Sequence, residues 1–89
     1  SPKASTSLIH FEGVIRGMYR SQEMGNEVLI TTCGPPKGCP IWVSGMGFVP
    51  ARIGQKVTTI GRWLGRYTYE GVDGVERTVP RIEAQFMVP

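Results

Sequence analysis

Between Gly54 and Met87 the chain reads GQKVTTIGRWLGRYTYEGVDGVERTVPRIEAQFM, and no other stretch limits its fold as much. Residues 57–69 are rich in Thr, Ile, Trp and Tyr, which suit a pleated, half-buried surface. A turn follows at 70–74, where Gly71 and Asp73-Gly74 can supply positive φ, and residues 76–87 make a second such run. Two runs around an acidic-Gly turn predict a long β-hairpin. The hairpin carries Arg62, Arg66, Tyr67, Tyr69, Arg77 and Arg81. Cations interleaved with aromatics suit a single-stranded nucleic acid, because phosphates pair with Arg and bases stack on rings.

The rest of the chain agrees with an all-β fold. With 89 residues there is room for one domain, which buries roughly 60–65% of its unfolded surface. Twelve Gly and seven Pro favour short strands and tight turns, and no stretch holds a 3.6-residue apolar period. The net charge is +3, and seven of the ten basic residues are Arg. This balance permits an anionic partner without demanding one.

Residues 1–7, SPKASTS, are expected to form a flexible N-terminal arm ahead of a single domain at 8–89. Residues 8–20 alternate with period two, and their internal glycines predict a sharply curved strand. A turn is expected at 21–26, strands at 27–33 and 39–46, and at most one helical turn in 47–53. Pro80 predicts an unpaired stretch or a bulge in the fifth strand. Five strands, a break between the third and fourth, and a long strand 4–strand 5 hairpin predict a Greek-key barrel of the oligonucleotide/oligosaccharide-binding type, the OB-fold.

Cys33 and Cys39 flank Gly-Pro-Pro-Lys-Gly. They read as small apolar residues at two strand ends, and a disulfide between them is the alternative. With His10 they fall short of a metal site, so neither metal nor cofactor is expected. No apolar run has the length of a membrane span and no charged-then-apolar leader is present, which predicts a cytoplasmic domain. One His and one Asp hardly make a catalytic constellation, so an enzyme is not expected.

The hairpin resembles that of a known family. Gly54-Gln55-Lys56-Val57, Ile60-Gly61-Arg62, Arg66-Tyr67, Asp73-Gly74, Arg77 and Arg81-Ile82 are similar to the closing hairpin of bacterial single-stranded DNA-binding proteins and the related primosomal protein. The match covers residues 54–84, and Phe11-Glu12-Gly13-Val14-Ile15 resembles the family's opening strand. The family's helix between strands three and four is cut to residues 47–53, its aromatic third strand keeps only Trp42, and an acidic tail is not expected. The resemblance implies single-stranded DNA binding in replication, recombination or repair, a homo-oligomer (dimer or tetramer), and a nucleoid location.

The residues themselves give the candidate site. Alternation places Trp63 inward and Arg62 and Arg66 outward, with Ile60 and Leu64 as an outward interface. Tyr67 and Tyr69 stack on bases or pack across the strands, and Trp42 is a stacking platform on the outer face or a surface aromatic. Arg16, Tyr19 and Arg20 are expected to join them from the loop between strands one and two, unless the two arginines pair with Glu12, Glu23 or Glu27. The nucleic-acid-binding set is thus Arg16, Tyr19, Arg20, Trp42, Arg62, Arg66, Tyr67, Tyr69, Arg77 and Arg81, reading DNA or RNA with low sequence preference. The competing expectation is a protein-interaction OB-fold that docks through Trp42, Ile60 and Leu64.

Overall fold

The computed structural model describes residues 7–23 and 25–89. Its strands are β1 (Leu8–Ser21), β2 (Gly25–Thr31), β3 (Pro40–Met46), β4 (Lys56–Glu70) and β5 (Glu76–Val88), and the described residues include no helix. Period-two patterning is therefore realised as strands within a few residues of the expected bounds. The expected arm lies, apart from Ser7, outside the described residues, as does Met24 of the expected 21–26 turn.

Neighbouring strands run in the order β1-β2-β3-β5-β4, and β4 pairs with β1, so one sheet closes on itself. All ladders are antiparallel except the one between β3 and β5. Strand β1 serves two ladders because it bends. Its first half pairs with β4 through Val14, its second half pairs with β2, and the register shifts between Ile15 and Gly17. Bulges of this kind sharpen local twist and let a short sheet curl.

Inside the ring lie Ile15, Val28, Ile30, Val43, Met46, Val57 and Met87, closed off by Ala51 from the link after β3. Each fully buried apolar side chain of this size contributes about 1.5–3 kcal/mol. The link is held to the bend of β1: Gly54 N donates to Ile15 O at 2.7 Å, and Ile15 N donates to Gln55 O at 3.0 Å. It thereby satisfies backbone groups that the bend withdraws from the ladders.

Three expectations need correction. Trp63 stands opposite the buried Ile82, yet it is only half-buried and lies outside the buried cluster. Pro80 itself stays in register opposite Arg66; the fifth strand carries its extra residue instead at Gln85, between the pairs Ile60–Phe86 and Gly61–Ala84. Nearer the hairpin tip β4 is the irregular strand, where Trp63 pairs with Ile82 and Gly65 with Arg81, leaving Leu64 as the extra residue. Cys33 and Cys39 form a disulfide that staples the loop between β2 and β3, with their Cα atoms 5.2 Å apart. The loop's backbone supports this closure, since Cys33 N and Thr32 N both donate to Gly38 O.

Candidate nucleic-acid interface

The bulge at Leu64 decides which side chains share a face. In a regular strand Tyr67 and Tyr69 would follow Val57, Thr59 and Trp63 toward the interior. One extra residue exchanges the faces beyond it. Gly65 makes this possible by taking φ = 106°, a conformation that side chains with a Cβ rarely adopt. Tyr67 and Tyr69 consequently join Arg81 and Trp42 on the outer face, while Arg66 alternates to the other side of the hairpin, opposite Pro80.

Trp42 is the centre of this face. Its ring is stacked with Tyr19 at 5.0 Å between centroids and 19° between planes, and it tilts against Tyr67 at 4.7 Å and Tyr69 at 5.3 Å. These three covers leave Trp42 only 4% exposed, whereas Tyr19 is 47% exposed. The expected open platform at Trp42 is thus corrected: it does face outward, but the tyrosines present the accessible rings.

Under the rings lies a polar cluster. Oε2 of Glu27 accepts hydrogen bonds from Trp42 Nε1 at 2.7 Å, Ser44 Oγ at 2.7 Å and Arg81 Nη2 at 2.9 Å. Arg81 Nε also donates to Ser44 Oγ at 2.8 Å, and its guanidinium lies 4.7 Å from the centre of the Tyr67 ring. Burial pushes the Glu27 carboxyl up, but the hydrogen bonds from Ser44 and Trp42 and the charge and hydrogen bond of Arg81 outweigh it, so its pKa lies below the ordinary value. Glu27 therefore holds the tryptophan, the serine and the arginine in one arrangement. Every strand contributes a side chain: Tyr19 from β1, Glu27 from β2, Trp42 and Ser44 from β3, Tyr67 and Tyr69 from β4, Arg81 from β5.

The remaining arginines do not converge as expected. Arg62 donates to Glu83 on the outer face, further along the sheet from Arg81. Arg77 is opposite Tyr69 but holds Asp73, with Nη2 donating to Oδ2 at 2.7 Å. Arg16 belongs to the other end of the β1–β2 ladder, where its Nε donates to Thr31 Oγ1 at 3.2 Å and it lines a hollow with Cys33, Pro35 and Pro36. Arg20 is exposed beside the β1–β2 turn, opposite Asn26, and alternates away from Tyr19. Neither Arg20 nor Arg66 has an ion pair among the described residues. The rim is accordingly less cationic than the sequence suggests, since three of the expected phosphate contacts face carboxylates.

The expected Trp42, Ile60 and Leu64 docking face is also divided. Trp42 lies opposite Arg81, which is opposite Gly65, whereas Ile60 stands opposite Phe86, five residues back along β4. Sequence reading missed Glu27 and Ser44 as site residues. Their one signal is parity: Glu27 alternates against the apolar Val28 and Ile30, but nothing local names Arg81, 54 positions away, as its partner. No group of three or more metal-binding side chains occurs among the described residues, and no helix among them is long and apolar enough to cross a membrane. No family model matches the chain, and no curated protein matches it significantly.

Proposed function

We propose that the chain is an OB-fold of the single-stranded DNA-binding kind, a binding module rather than an enzyme, with bases stacked on Tyr19, Tyr67 and Tyr69. The ring order β1-β2-β3-β5-β4 with its parallel β3–β5 ladder supports the fold reading. The observation that carries the function is the aromatic wall around Trp42, built on the outer face of β3 between the β1–β2 turn and the β4–β5 hairpin. That is the side on which OB-folds take oligonucleotides. Stacking is sequence-tolerant because every base has a π-face, so the binding is of low specificity. Arg20 and Arg66 alternate away from the aromatic face, so they reach only phosphates where the strand passes beyond its edge, and a role in replication, recombination or repair in the cytoplasm follows from that ligand. Exposed apolar residues, Phe86 at 61% and Phe48 at 79%, support assembly of several copies into a homo-oligomer.

The test is an anisotropy titration with labelled oligothymidine at two salt concentrations. Tyr67→Ala should weaken binding by about 1–3 kcal/mol. Arg77→Ala should matter little, because its charge already faces Asp73. The salt slope should correspond to only a few phosphates, given the ion pairs that occupy Arg62, Arg77 and Arg81. Absence of binding at low salt would overturn the reading.

A further inference from the structure

Arg81 is held in a way that leaves a defined part of it open. Its Nε and Nη2 lie on one side of the guanidinium and are used by Ser44 Oγ and Glu27 Oε2. The outer end of the fork, Nη1 with the second hydrogen of Nη2, is a separate pair of parallel donors. Nη1 has no hydrogen-bond partner among the described residues and is not among the buried polar atoms left without one. The Tyr67 ring, 4.7 Å away, supports the guanidinium plane from one side, and the side chain is 22% exposed.

Such a fork suits two adjacent acceptors, and the charge around it narrows which. Glu27 neutralises Arg81 at the centre of the face, and its carboxylate repels a phosphate brought to the same place. A neutral base edge meets no such repulsion. Two acceptors side by side occur on guanine, as O6 and N7, and on cytosine, as N3 and O2. Thymine sets both of its acceptors beside the N3–H donor, and adenine sets N1 and N7 beside its N6 amino group, with N3 standing alone, so neither offers two adjacent acceptors. The cytosine edge is accessible because a single strand leaves its Watson–Crick edge unpaired.

We propose that Arg81 is a base-reading residue that makes this face prefer guanine and cytosine over thymine and adenine. Stacking on the tyrosines sets the base plane, and the fork sets which base is favoured in it. The inference rests on the single-stranded DNA reading above and adds a specificity that stacking alone does not give. Glu27 and Ser44 act as positioning residues, because they orient the fork through the two donors that the base does not use.

The experiment compares labelled oligothymidine with the same oligomer carrying one central cytosine, one guanine or one 7-deazaguanine, using the full chain at fixed salt. A bidentate contact should favour cytosine and guanine by about 5- to 150-fold, and 7-deazaguanine, which lacks the N7 acceptor, should lose most of that gain. Arg81→Lys keeps the charge but not the fork, so the ratio between oligomers should fall toward one. The ratio is the readout, so a general loss of affinity leaves the comparison intact. Glu27→Gln should tighten binding to every oligomer and steepen its salt dependence, while narrowing the ratio. Equal affinity for all four oligomers, or a preference that survives Arg81→Lys, overturns the base-reading role and leaves the binding function standing. No binding to any oligomer overturns both.

Discussion

Trp42 donates its indole N–H to Glu27 Oε2 across 2.7 Å, beneath three tyrosine rings. The contact fixes the plane on which the rings pack, and it is made by a carboxylate only 5% exposed. Replacing Glu27 with Ala leaves the indole N–H, the Ser44 hydroxyl and Arg81 without their shared acceptor. A buried donor that loses its partner costs about 1–3 kcal/mol. Glu27→Ala should accordingly lower the free energy of unfolding by that amount, read as a lower urea midpoint, and shift Trp emission to the red. Glu27→Gln, which keeps an acceptor oxygen, should show a smaller loss.

Acid should loosen the same cluster. The folded-state pKa of Glu27 is depressed below 4.5, so its contribution is complete above that value and is lost as pH falls through the lower, folded one. Asp73 follows the same sign: hydrogen bonds from Arg77 and from Val75 N–H lower its carboxyl from 3.8 to about 2. Urea midpoints measured from about pH 6 down to about pH 2 should therefore be flat at first and then decline. Glu27→Gln should reduce that decline, and Asp73→Asn should remove a part of it between 3.8 and about 2.

The hairpin bulge is open to direct attack at Gly65. Space is not the obstacle, since a Cβ there would meet nothing within 4 Å. Conformation is: at φ = 106° a β-branched side chain is strained. Gly65→Val should cost about 1–3 kcal/mol. If the strand relieves the strain by losing its bulge, Tyr67 and Tyr69 change faces. Near-ultraviolet circular dichroism should then lose the coupled Trp–Tyr signal, and oligothymidine binding should fall with it.

The stapled loop between β2 and β3 gives a fourth expectation. A disulfide closing so short a loop restricts the unfolded chain by about 2 kcal/mol. Reduction, or Cys33→Ser with Cys39→Ser, should lower the urea midpoint correspondingly. Binding should persist, because Trp42 is held by Glu27 and the tyrosines rather than by the loop. A cytoplasmic role requires that independence, since thiols there are kept reduced.

How much of this was legible beforehand varies with the range of the interaction. Alternation in the first strand, and β-branched and aromatic runs bounded by turn residues in the others, located all five strands, because both signals are written in each strand's own residues. The same local reading picked out Tyr19, Trp42, Tyr67, Tyr69 and Arg81, which converge, and Arg16, Arg20, Arg62, Arg66 and Arg77, which do not. By itself the sequence determined an all-β chain with a long closing hairpin and the stock of rings and cations on it. Tertiary structure alone decided which of them meet. One bulge at Leu64 inverted the faces of the hairpin tip, and a glutamate 54 positions away took the charge of Arg81. Face and pairing are set by register between strands distant in sequence, and no pattern within either strand encodes the register of the other.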